Sequence, residues 1–172
     1  MKIFKIIIFL LFSFALSSNL QAFTDRDGKG SQSSGREDKS FLEAKNSNFK
    51  KGNDSLKKAF KFLKKDKITK ANNHFEKALR YFVLANQENS QNITIFNNLG
   101  LTYYMLGDLM MSEIYYQEGL LLEPNNPIIN EKLGELYFNT KRLSLANERL
   151  EVLRTCSCQE YSNLKNIIKK SK

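Results

Sequence analysis

The spacing of small and aromatic residues between Ile93 and Asn126 constrains this chain more than any other feature. Leu99, Gly100, Tyr103, Gly107, Ser112, Tyr116, Gly119 and Pro124 recur at offsets that fit two tightly packed antiparallel helices turning at Gly107-Asp108. A glycine inside a helix costs roughly 0.5–1 kcal/mol relative to alanine, so Gly100 needs a packing reason. Placed opposite Ser112 it has one. Where the helices cross, a side chain larger than about a methyl pushes them apart, while Leu99, Tyr103 and Tyr116 fill the space beside the crossing. Pro124, followed by Asn125, Asn126 and Pro127, ends the second helix because proline cannot continue the hydrogen-bond ladder.

The pattern returns after Pro127 as Leu133, Gly134, Tyr137, Leu143, Ala146, Leu150 and Leu153, with Gly134 set against Ala146. This copy departs at Asn130, where an apolar or aromatic side chain is usual, at Lys141 in the turn, and at Cys158 in the place of Pro124. A more degenerate copy lies upstream. Gly52-Asn53-Asp54 offers a break and caps before Leu56, Ala59, Phe60, Phe62 and Leu63, and a second helix carries Ala71, Phe75, Ala78, Phe82 and Ala85. This unit is seven residues longer than the next. Seven residues are nearly two helical turns, so the insertion keeps phase and predicts a second helix that runs on to about Glu88.

Offset by offset, Asn97-Asn98-Leu99-Gly100, Tyr103, Gly107, Ser112, Tyr116, Gly119 and Pro124 resemble the tetratricopeptide repeat (TPR), a helical hairpin of about 34 residues. The resemblance covers about Gly52 to Tyr161. It implies an all-α chain, a right-handed α-solenoid of about three TPR hairpins over 52–92, 93–126 and 127–158. Beyond them, Tyr161, Leu164, Ile167 and Ile168 alternate with Lys165, Asn166, Lys169 and Lys170, the single apolar stripe expected of a capping helix and tail over 159–172.

The start of the 172-residue chain reads differently. Lys2 and Lys5 precede an apolar run from Ile6 to Leu16 and then Ser17 to Ala22, the order of a removable signal peptide over 1–22, cleaved after Ala22. The run is short for the roughly 20 residues of a membrane span, and the competing expectation is an uncleaved anchor. Residues 23–51 read as a disordered linker, rich in Asp, Gly and Ser, ending in a short leading helix with Phe41, Leu42, Ala44 and Phe49 on its face. The formal net charge is +9. In an exported chain without the Arg and aromatic interleaving of nucleic-acid modules, that charge serves solubility, anionic lipid or acidic partners. Lys57, Lys58, Lys61, Lys64, Lys65, Lys67 and Lys70 concentrate it in the first hairpin, as a solvated face or as a contact for lipid or an acidic partner.

Residues that could carry chemistry are few. Four fates compete for Cys156 and Cys158: a local disulfide, two free thiols, intermolecular pairing or redox exchange, and a soft metal site lacking further ligands. His74 reads as a surface histidine with no nucleophile near it. Met105, Met110 and Met111 fall on different helix faces and fill core or groove. Glu131 and Glu135 share a face without a partner acid, and no glycine-rich phosphate loop is present. The expectation is no enzyme and no cofactor.

The TPR resemblance implies instead a concave groove lined by the first helix of each pair. Carried over by position, its lining is Leu56, Phe60 and Leu63, then Asn97, Leu101, Tyr104 and Met105, then Glu131, Glu135 and Phe138. Tyr104 and Phe138 stand one residue beyond the packed Tyr103 and Tyr137, so they should enter the groove. Of the Lys/Asn/Arg constellation with which some TPR proteins clamp a C-terminal carboxylate, only Asn98 and Lys132 have counterparts, with Leu56 and Phe60 in the places of the others. The expected function is a non-catalytic interaction module, exported and periplasmic, that binds a peptide or protein segment. The alternatives are a peripheral membrane-surface protein held by its basic first hairpin, or thiol or metal handling through Cys156 and Cys158.

Overall fold

A computed structural model describes residues 39–169, with side chains from residue 47 onward. The expected signal peptide, and residues 23–38 of the expected linker, lie outside the described residues. Within them the chain is helical: α1 (Lys39–Leu63), α2 (Ile68–Glu88), α3 (Ile93–Leu106), α4 (Leu109–Leu122), α5 (Pro127–Asn139), α6 (Leu143–Leu153) and α7 (Gln159–Lys169). The first six pair in sequence as three hairpins, and α7 lies across α5 and α6. No helix among the described residues is long and apolar enough to cross a membrane.

Helix ends follow local chemistry in the middle unit. The Asn92 side chain accepts hydrogen bonds from Thr94 N at 2.9 Å and Ile95 N at 3.3 Å, capping α3. Gly107 closes it in the left-handed conformation, φ +85°, which glycine adopts without steric cost. Asp108 accepts from Met111 N to open α4, and Asn126 accepts from Ile129 N to open α5, with Pro127 at the helix start. In the third hairpin Lys141 takes the corresponding left-handed place, φ +63°.

The glycines mark where helices touch, and three expectations change there. Gly100 lies under Tyr116, not Ser112: a Cβ added at Gly100 would sit 2.6 Å from the Cδ1 and Cε1 atoms of that ring. Even a methyl is therefore too large for the crossing. Gly134 is covered first by Leu164 of α7, 2.5 Å from an added Cβ, with Arg149 Cβ of α6 at 3.2 Å, so the capping helix is seated by this glycine. The break expected at Gly52-Asn53-Asp54 does not exist, because α1 runs straight through it. An added Cβ at Gly52 would meet Phe82 Cε1 at 2.6 Å, Asn53 receives a hydrogen bond from Asn98 at 2.9 Å, and Ser55 bonds back to the Lys51 carbonyl. Residues that resemble a cap are used for packing between helices.

The longer α1 and the extra turns of α2 are one feature. Phe49 meets Phe82 at 6.1 Å between ring centroids, and Asn48 donates to Glu88 Oε1 at 2.6 Å, so each extension covers the other. Fully burying Phe82 contributes up to about 3 kcal/mol. One apolar core runs from Leu56 through Ala71, Phe75, Ala78, Phe82 and Ala85 to Ile95 and Leu99, and a second gathers Tyr116, Ile129, Leu133, Leu136, Tyr137 and Ala146. Asn130, polar where an apolar residue was expected, is fully buried: its amide donates to the Pro124 and Asn126 carbonyls, each at 2.9 Å, and fastens the loop between α4 and α5.

Candidate partner-binding cleft

The first helices of the three hairpins share one face. Phe60 from α1, Leu101, Tyr104 and Met105 from α3, and Lys132 and Glu135 from α5 line a cleft of about 320 Å³, with Tyr116 from α4 completing it. Phe60 is set edge-on against Phe75, centroids 5.3 Å apart at 85°, which fixes its ring half-buried. Tyr104 is held from the far side, its hydroxyl accepting from Asn139 Nδ2 at 2.6 Å. The walls are thus rigid aromatic and aliphatic surface, which offers contact area at low entropic cost.

Polar groups stand at one end. Lys132 Nζ lies 3.3 Å from Glu135 Oε2 and 3.7 Å from Glu131 Oε1. Burial alone would lower the Lys132 ammonium pKa, but the charges of Glu135 and Glu131 outweigh it and hold the pKa above the ordinary lysine value. Burial, and then the nearby Glu135 charge, drive the Tyr116 hydroxyl well above the usual phenol range. It stays a neutral donor, placed beside Ser112.

Of the residues expected in the groove, the cleft brings together Phe60, Leu101, Tyr104, Met105 and Glu135. Leu56, Leu63, Asn97, Glu131 and Phe138 are not among its lining residues. Leu56 is core, and Leu63 packs on the same core. Phe138, like Tyr104, packs on the second core, and it is not among the residues that line this cleft. Glu131 is 8% exposed and accepts from Asn163 Nδ2 of α7 at 3.2 Å, which turns it under the capping helix. Asn97 is half-buried, its Oδ1 without a hydrogen bond inside the protein. Asn98, one of the two clamp counterparts, is committed to Asn53. Tyr116 was read as packing alone and Lys132 only as a clamp counterpart. The sequence signal for Lys132 was available: it follows Glu131 and precedes Glu135 on a first helix.

Other side chains settle elsewhere. His74 is not a simple surface residue: its ring stacks on Phe62, centroids 5.2 Å apart at 8°, with Nδ1 buried. Cys156 and Cys158 are joined by a disulfide, Cα atoms 5.1 Å apart, in the turn between α6 and α7. A second recess of about 560 Å³ lies between α4, α5 and α6, lined by Ile114, Leu121, Leu133, Tyr137 and Arg149 among others.

A stack of three helical hairpins with glycine-mediated crossings and a cleft along its first helices defines a TPR solenoid. The chain belongs to the CABIN1 N-terminal domain family, whose model matches residues 42–171. Among solved structures, it is similar to the Arabidopsis OM64 TPR domain, with 15% identity and a TM-score of 0.53 over 73% of this chain and 99% of that one. It is also similar to the first TPR of Spaghetti (RPAP3) bound to the HSP90 peptide SRMEEVD, 18% identical with a TM-score of 0.53 over 72% and 94% of the two chains. A CopN-Scc3 complex contains a chain 18% identical, with a TM-score of 0.56 over 96% of this chain and 98% of that one. At these identities the likeness shows the fold. No curated protein matches the chain.

Proposed function

We propose that this protein is a non-catalytic interaction module that holds a peptide or protein segment in the cleft formed by α1, α3 and α5. The observation that carries this reading is the convergence of Phe60, Leu101, Tyr104 and Met105 from successive hairpins on one cleft that ends in Lys132 and Glu135. Fixed apolar walls with a few polar groups are what a bound segment needs for affinity and for orientation. Similar folds are known with such ligands, the RPAP3 domain bound to an HSP90 peptide among them.

The reading separates two neighbouring tyrosines. Tyr103 stacks on Tyr115, centroids 5.4 Å apart at 8°, whereas Tyr104 lines the cleft. Tyr104→Ala is expected to weaken capture of a bound segment by roughly 2 kcal/mol or more with a smaller loss of melting temperature than Tyr103→Ala. If Tyr104→Ala unfolds the protein as badly as Tyr103→Ala, or leaves capture unchanged, the cleft is not the binding site.

The proposed place of action is the cell envelope, most simply the periplasm. It rests on the lysines and apolar run over residues 1–22. Intact mass of the exported protein should correspond to a chain starting at Phe23. A mature species that keeps Met1 would favour the anchored form.

A further inference from the structure

The cleft does not end at Phe60. The same ring closes a second recess of about 520 Å³ whose other lining residues are Lys57, Lys61, Lys64 and Lys65. Lys57, Phe60 and Lys61 share one face of α1, Lys64 follows in the turn just after it, and that face continues into the Leu101, Tyr104 and Met105 wall through Phe60. Among the described residues every ion pair falls between Glu113 and Arg154, so none of these four lysines has a carboxylate partner. At the other end the one cation, Lys132, is already engaged by two carboxylates, Glu135 and Glu131, so that end carries no free positive charge. The groove is therefore polarised: basic and unneutralised over α1, apolar in the middle, and paired at α5.

Resting on the binding role of the cleft, we propose that its occupant is an acidic segment with an apolar anchor. The anchor fills the space between Phe60, Leu101 and Met105, and flanking carboxylates lie over Lys57, Lys61 and Lys64. Charge complementarity decides the chemistry, because like charges would repel any basic segment from this face while carboxylates find ammonium groups that no described carboxylate engages. The recess decides against a bilayer as the occupant. Phe60 is packed edge-on against Phe75 and half-buried, whereas membrane contact needs apolar side chains that reach past the lysines. No free C-terminus is required, since the carboxylate partners are lysines along α1 and the clamp counterpart Asn98 is bonded to Asn53.

The test uses the full mature chain and fluorescence anisotropy. The probe is a labelled, C-terminally amidated peptide of aspartate and glutamate around one phenylalanine. Counterparts have neutral or basic residues in place of the acids. Two variants carry the same change in net charge: Lys57→Glu/Lys61→Glu/Lys64→Glu within the recess, and Lys58→Glu/Lys67→Glu/Lys70→Glu outside it, both checked for unchanged helicity. The acidic probe should bind most tightly and lose affinity with added salt. The recess variant should weaken it by about tenfold or more, and the outside variant by about threefold or less. Equal losses in the two variants would show a diffuse field and overturn the proposal. Equal binding of acidic and neutral probes, lost on Tyr104→Ala, would overturn the acidic occupant and leave the cleft reading standing. Failure of every probe to bind would remove both. Phosphatidylserine vesicles that bind with the recess lysines, while peptides do not, would assign the face to a membrane.

Discussion

The ring of Tyr116 fills the space that a side chain at Gly100 would need. Tyr116 is 1% exposed and part of the second core, and the ring atoms met are not the free end of a flexible chain. Gly100→Ala should cost about 1–3 kcal/mol in thermal or denaturant melts, and a larger residue more, although alanine is the better helix former. A Gly100→Ala variant as stable as the wild type would show that the crossing is looser than described. The same tyrosine predicts a pH effect. Its pKa is raised above 10.0, mainly by burial, so its contribution to stability is complete below about pH 10 and is lost as pH rises through the folded-state value. Replacing it by phenylalanine removes the titrating hydroxyl. Between about pH 9 and pH 11 the melting temperature of Tyr116→Phe should therefore fall less than that of the wild type, and equal falls would mean the hydroxyl is not held protonated. That Gly100 needed an explanation was legible in the sequence, because an interior glycine is costly. Which large side chain covers it was not, since Ser112 and Tyr116 lie one turn apart on α4 and the tilt of the helices chooses between them.

At the scale of elements, the first hairpin shows where local signals mislead. Gly52-Asn53-Asp54 has the composition of a helix start, yet Phe82, distant in sequence, lies on the Gly52 backbone and Asn53 is bonded to Asn98. Tertiary contacts overrode the local preference, as they do when a helix is held by a packed face. The two accounts of Gly52 predict opposite signs. A glycine serving only to interrupt a helix would be improved by alanine, by about 0.5–1 kcal/mol. A glycine that admits Phe82 loses about 1–3 kcal/mol on the same change. Chemical denaturation of Gly52→Ala should show the loss, and a gain would restore the break. The phase of the extension was readable, because a seven-residue insertion keeps the same side of α2 inward, and α2 does span Ile68–Glu88. The placement of Glu131 was not readable, because it depends on where α7 lies. Asn163 and Leu164 come from a helix whose amphipathic stripe says that it is buried on one side but not against what.

For the whole molecule, fold class was the most legible level and the binding surface the least. Three hairpins could be read from small residues repeating at one interval, since each repeat restates the same packing requirement. The surface is specified once, by side chains that tolerate many partners, and only the structure shows that Phe60, Leu101, Tyr104 and Met105 meet in one cleft that Leu63 and Phe138 do not line. Two surfaces then compete: the cleft along the first helices, continuous with the lysine recess, and the recess lined by Ile114, Leu121 and Arg149. Backbone amide mapping by NMR, during titration of the isotope-labelled protein with the amidated acidic peptide, distinguishes them directly. The account predicts the largest shifts at Lys57, Phe60, Lys61, Leu101, Tyr104 and Met105. Shifts centred on Ile114, Leu121 and Arg149, with the first helices unmoved, would contradict it.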